Sequence, residues 1–428
     1  MKLQQPENPN YVATVVRLKT INDLEGMDNV VGASIFGFQA IIKKGTPAGE
    51  IGIFFAPETQ LSEEFARENN LFRHGDLNKD ESASGYLEDN RRIKAMKFRG
   101  HRSSGLFLSL ESLKWTGINI DELNEGDSFD SLNGHQICTK FMRKKAGVPR
   151  TERNKEKKFV RVDEKFLPMH YDSENYFKNK HHIKGNRRIV VTQKLHGTSI
   201  RIGNTSVLRK LTAIDKIARF LGAHIQEKEF DHVFGSRKVI KDINNPNQNH
   251  FYGTDVYTEE GSKASENVPE NFIIYGELIG WISPGSAIQK NYTYRIDNGE
   301  RKLFVYRVAL VTNQGRLVDL SWDQVKEFCR DKGFNHVPEL YEGLHRNFKV
   351  EKFLDTNYFK DGFKNAVPLD DESPCDEGVC IRVDGLAPYI LKAKSPKFFE
   401  HETNMIDRGV EDIEAEESIT DEQEQLQQ

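Results

Sequence analysis

The sequence predicts an α+β protein: an OB-like β-barrel first, then a domain of antiparallel sheets and helices. Three observations carry that reading. Between Tyr11 and Cys138, short β-branched and aromatic runs are punctuated by Gly, Asn and Asp at the spacing of a small barrel. A crowd of basic residues follows (Lys140, Arg143, Lys144, Lys145, Arg150, Arg153, Lys155, Lys157, Lys158), with Gly147 and Pro149 among them, and reads as a linker. Beyond it, longer apolar strands alternate with two helical patterns. The boundaries are residues 1–145 for the barrel, 146–165 for the basic linker, 166–405 for the second domain and 406–428 for an acidic, Gln-rich tail read as disordered or a frayed helix.

Within the first domain, Tyr11–Leu18, Ala33–Ile42 and Ile51–Phe55 are the strand candidates. Arg91–Arg102 places basic side chains at alternating positions. Arg92, Lys94 and Arg102 are expected to line one groove, with Phe98 available to stack on a base; a solvated edge strand is the alternative. Phe166–Ser173 opens the second domain. Thr212–Ile225 has the spacing of an amphipathic helix, Phe234–Val239 is a short strand carrying Arg237, and Asn244–Asn249 is a polar loop. Phe272–Gly280 and Leu303–Leu310 are buried strands, and Trp322–Lys332 is a helix. Asp376–Val383 and Tyr389–Ser395 are two paired strands.

Composition narrows the class. With 37% hydrophobic and 29% charged residues the chain has the balance of a water-soluble globular protein. No run approaches the length that crosses a membrane, and Met1–Pro9 lacks the apolar core of a signal peptide. The four cysteines fit neither a disulfide framework nor a zinc site, which points to a reducing, intracellular, cytoplasmic setting. The net charge of -4 is unevenly spread, so it does not exclude a nucleic-acid partner.

The chemistry concentrates at Val191–Ile202. A β-branched run delivers Lys194, a turn follows at Gly197, and a second strand leaves, a hairpin-like support on which Gly197 supplies backbone freedom. Alternation puts Ser199 and Arg201 on one face of that strand. Glu277 interrupts an otherwise apolar strand, where an acid needs a partner. Lys392 and Lys394, two apart on a strand, share a face.

The ordered set Lys194-Leu195-His196-Gly197, Gly276-Glu277-Leu278-Ile279-Gly280, an aromatic strand, Glu377-Gly378-Val379 and Lys392-Ala393-Lys394 resembles the covalent nucleotidyltransferase superfamily of ATP-dependent ligases and RNA capping enzymes. Histidine at 196, where aspartate is usual, is similar to RNA ligases. An OB-like domain ahead of the ligase domain, with Phe98–Leu108, resembles the Deinococcus-type RNA ligases.

The resemblance implies an adenylyltransferase domain at 166–405, ATP and Mg2+ (or Mn2+) as cofactors, and RNA or an RNA-containing nicked duplex as partner of a monomer with no membrane association. It implies that Lys194 attacks the α-phosphorus of ATP, and that Lys392 and Lys394 contact the α-phosphate and make Lys194 less basic. It further implies that Glu277 binds the ribose, that Tyr306 stacks on adenine with Phe304 as the other candidate, and that Glu377 holds a magnesium hydrate. Arg237 would contact phosphate and Gln193 the adenine edge. Ser199 stands where many DNA ligases carry arginine, and Arg201 is expected to supply that charge. Two other readings stay open: a capping guanylyltransferase, and a non-catalytic RNA-binding protein on a ligase fold.

Overall fold

The computed structural model describes residues 3–6, 8–142, 161–241 and 254–410. The polar loop at Asn244–Asn249, most of the basic linker and residues 411–428 of the acidic tail lie outside them. The described residues divide into two compact units, and no single cut separates them: those up to 142, 174–181 and 393–410 form the first, and those within 161–173 and 182–392 the second. Mixed α+β architecture is what the sequence predicts, with sheets dominating and few helices.

In the first unit, Ser128–Phe129, Ala13–Arg17, Ile51–Phe55 and Leu106–Ser109 pair side by side in that order as one antiparallel sheet. Ile21–Asp23, Val30–Ile35 and Phe38–Lys43 form a three-stranded meander, and Ala95–Phe98 and His101–Ser104 a separate hairpin. Among the described residues no sheet closes on itself, so the barrel expected from strand spacing is absent as a closed ring. Closure needs strands long enough to tilt and stagger. One outer strand here, Ser128–Phe129, has only two residues. Spacing along the chain reports strands, not their partners. Two apolar clusters flank the four-stranded sheet, one around Phe55, Phe65 and Phe129, the other around Phe38, Phe54 and Phe107.

The basic groove expected at Arg91–Arg102 is corrected by a helix from far along the chain. Pro396–Asp407 opens with proline at its first turn and belongs to the first unit. Its acids meet the basic hairpin. Arg92, 3% exposed, is bidentate on Glu58 at 2.6 Å and reaches Asp407 at 2.9 Å. Lys94 bridges Asp407 and Glu88, Arg102 meets Glu400 at 3.2 Å, and Thr403 bonds both Glu58 and the amide of Ala95. Three cations read as a nucleic-acid surface are therefore partners of carboxylates. Phe98 keeps its exposure, with the Arg99 guanidinium 5.9 Å from its ring centre.

The second unit holds two antiparallel sheets. In one, Ile240–Lys241, Lys228–Gly235, Thr198–Leu208, Phe272–Ser283, Arg301–Val311 and Leu317–Asp319 lie in that order. In the other, Gly378–Val383, Arg188–Gln193 and Glu339–Leu344 are neighbours, with Tyr389–Lys394, whose last two residues count to the first unit, beyond Gly378–Val383. The strands before and after Lys194 thus belong to different sheets. The hairpin-like support read from the sequence is instead a crossing between them. Period-two patterning sets which face a strand buries but leaves its neighbour open.

The helix at Trp322–Lys332 spans its predicted residues, with a capping box between Ser321 and Gln324 and Gly333 in the left-handed region at its end. Ala213–Phe220, shorter than the predicted Thr212–Ile225, is held by a Thr212–Asp215 capping box, and its apolar residues Ile214, Ile217 and Phe220 stay exposed. Among the described residues no helix is long and apolar enough to cross a membrane.

Candidate active site

Lys194 leaves the end of Arg188–Gln193, a strand whose Ile189, Val190 and Val191 are fully buried, so the lysine starts from a rigid base. The backbone beyond it is fastened repeatedly. Lys194 donates its amide to Gly378 at 2.9 Å, His196 to the Tyr294 hydroxyl at 2.6 Å, and Gly197 to Glu277 Oε1 at 3.0 Å. The Gly197 carbonyl accepts from buried Gln289 at 3.0 Å. Gly197 is required for space rather than for dihedral freedom. Its φ is not in the left-handed region, but a Cβ would run into the Leu278 carbonyl oxygen.

The Lys194 ammonium lies 2.8 Å and 2.9 Å from the two carboxylate oxygens of Glu377, which is 1% exposed. His196 Nδ1 is 3.9 Å from Glu377, and its ring sits edge-on against Tyr292 with centroids 5.1 Å apart. Glu277 is half-buried and takes Gly197 and Ser199 as partners, with Ser199 Oγ at 3.3 Å. The Cys380 thiol feels the charges of Lys194, Glu377, Lys392 and Glu277 together, and burial pushes it up to about 11. Four predicted residues therefore converge around one side chain that the sequence reading had passed over. Lys394, two residues past Lys392, meets Glu402 at 3.0 Å and the rings of Phe398 and Phe399, all within the first unit.

Phe304 pairs directly across from Glu277. The register shifts between Tyr275 and Gly276, where Arg307 and Val305 are the opposite residues, so Tyr306 is the extra residue of a bulge. Its ring packs on the cluster around Phe166 and Tyr275 and meets His170 at 5.0 Å.

Three residues sit differently from their implied roles. Gln193, 1% exposed, is held at both ends of its amide by Val367 and by Asp376 at 2.7 Å. Arg237 is ion-paired with Asp172. Arg201, expected to stand in for the missing arginine charge, is 2% exposed and donates to the carbonyls of Leu167, Ser236 and Lys238. It braces the loop that carries Arg237.

Sequence reasoning missed Asp376, whose buried carboxyl accepts from Tyr358 and Gln193 and is pushed up to about 7 by desolvation. The adjacent acid pair Asp376-Glu377 was its only signal. It also missed Tyr294, Gln289 and Asp370, which belong to no strand or helix.

Among the described residues no group of three or more His, Cys, Asp or Glu could hold a metal ion. A lone buried carboxylate such as Glu377 still suits magnesium, which keeps several waters and leans on one or two acids plus phosphate.

Lys194 thus stands beside a buried carboxylate where the chain crosses from one sheet to the other. Residues 187–394 match the family model described as RNA ligase. Solved structures of Naegleria gruberi RNA ligase share the fold. One variant with ATP and Mn has TM-score 0.59 at 17% identity, covering 91% of this chain and 98% of that one. The ligase with PPi has TM-score 0.57 at 16% identity, covering 92% and 98%. A variant with AMP and Mn has TM-score 0.56 at 16% identity, covering 91% and 98%. No curated protein sequence matches the chain.

Proposed function

We propose that the chain is an ATP-dependent RNA ligase that seals 3′-OH and 5′-phosphate ends through a lysyl-AMP intermediate on Lys194. One observation carries this reading: the amide-fastened turn that holds Lys194 against Glu377, inside the residues that match the RNA ligase family model.

Lys194 first gives up its pairing with Glu377 and loses a proton to solvent. Its Nζ then bonds to the α-phosphorus of ATP while the α–β bridging bond breaks and pyrophosphate leaves. AMP passes next to the RNA 5′-phosphate, and the 3′-OH displaces it to form the phosphodiester. A divalent cation, held by Glu377 through water, would supply charge neutralisation at the phosphates. Lys392 and Lys394 are the phosphate contacts of this reading, Lys394 exchanging Glu402 for phosphate, and Arg237 joins them by leaving Asp172. Glu277 accepts from the ribose. The place of Phe304 across from Glu277 favours it over Tyr306 as the surface for adenine. Gln193 reads the adenine edge only by releasing Val367, so its main part is to fix the strand end.

In the same reading the first unit is an OB-like holder of an RNA-containing nicked duplex, as in the Deinococcus-type ligases, and the enzyme works as an intracellular monomer. The test is a nicked duplex with a labelled 5′-phosphate and RNA at the 3′-OH side, incubated with ATP and Mg2+. Sealed product supports the reading; a nick left open under conditions where the protein takes up AMP would place the substrate elsewhere.

A further inference from the structure

The loop 288–295 carries a feature that nucleotide chemistry does not explain. Asn291, Tyr294 and Arg295 all have positive φ, at 66°, 56° and 55°. Left-handed backbone is unfavourable for residues with a Cβ and persists only where the surroundings impose it. Asp370 imposes it at Tyr294 and Arg295. Its carboxylate accepts from the amides of Thr293, Tyr294 and Arg295 and from the Thr293 hydroxyl, the last two at 2.8 Å and 2.9 Å. The loop so shaped faces the catalytic turn. Tyr294, 3% exposed, takes the His196 amide, and Gln289 from the same loop holds the Gly197 carbonyl. Tyr292 braces the other partner: its hydroxyl donates to Cys375, two residues before Glu377, while its ring supports His196.

We propose that Tyr294, on its Asp370-anchored loop, is a positioning residue that sets the turn after Lys194 so that the lysine nitrogen meets the α-phosphorus. The inference rests on the ligase reading and deepens it. Tyr294 touches neither ATP nor metal in this scheme. It acts through the His196 amide, two residues from the nucleophile, where a displacement of about 1 Å costs on the order of 10²-fold in rate. Burial raises its phenol well above the ordinary range, so the hydroxyl stays neutral through the working pH.

The test is rapid-quench measurement of covalent AMP uptake from labelled ATP by the full chain, comparing Tyr294→Phe, Asp370→Asn and the double variant. Tyr294→Phe keeps the ring and removes only the oxygen. Its maximal rate is expected to fall about tenfold or more while the half-saturating ATP concentration stays within about twofold, because positioning acts on the step and not on nucleotide capture. Residues acting through one loop are non-additive, so the double variant should be no slower than the slower single one. Thermal melts report whether each variant folds; Tyr294→Phe alone carries the test if Asp370→Asn does not. Labelled wild type with Tyr294→Phe at the wild-type rate overturns the proposal and leaves the ligase reading standing. No label on wild type overturns the ligase reading itself.

Discussion

Two charged stretches of this chain end in different places. At Lys194 the ammonium meets Glu377 at the end of a buried strand, and the Cys380 thiol feels both of them together with Lys392 and Glu277. At Arg92–Arg102 a more basic stretch is taken up by its own molecule, with Glu58, Asp407 and Glu400 as partners. The difference teaches that accumulated charge is a poor guide to a binding surface. A basic run defines only a need for anions, and a helix about three hundred residues downstream meets it here.

The largest effect that would break this contrast lies at Glu377. Glu377→Gln keeps the shape and removes the charge that pairs Lys194 and would hold the metal hydrate. Ligation is expected to fall by about 10³-fold, matching the several kcal/mol a metal contributes to phosphoryl charge. A rate within tenfold of wild type, from gel-based sealing assays, would return Glu377 to a purely structural role. At the other stretch, Arg92→Met leaves Glu58 buried without its partner. It should cost about 3–5 kcal/mol by denaturant unfolding. Unchanged stability with weakened RNA binding would restore the groove and collapse the comparison.

A smaller effect sharpens it, since the buried carboxyl next to Glu377 costs stability as it ionises. Asp376 has a carboxyl raised to about 7 against 3.8 unfolded, so the folded state holds the extra proton between those values and stability falls as pH rises through that window. Asp376→Asn has no such slope. Between pH 5 and pH 8 the variant should gain about 2–3 kcal/mol on wild type in unfolding free energy. Parallel pH profiles would show instead that the carboxyl is ionised throughout.

The sequence was legible where the signal lay in neighbouring residues. Lys194, Glu277 and Lys392 stood out by residue type and spacing, Glu377 only through the resemblance, and the helix Trp322–Lys332 by cap and stop residues that are adjacent in sequence. Pairing was not legible. Nothing in Val191–Ile202 says that its two strands join different sheets, and nothing in Arg92 announces Asp407. Tyr294 was hidden for a related reason: its importance comes from a left-handed loop shaped by Asp370, a residue seventy-six positions away. The register at Tyr306 was not legible either, because a bulge adds one residue to its strand.

The measurement that tests the central claim most directly is peptide mass spectrometry of the protein after incubation with ATP and Mg2+, beside ATP-free and GTP controls. An AMP adduct mapped to Lys194, absent from both controls and from Lys194→Ala, is the expected result. An adduct on another residue, or GMP on Lys194, would contradict it.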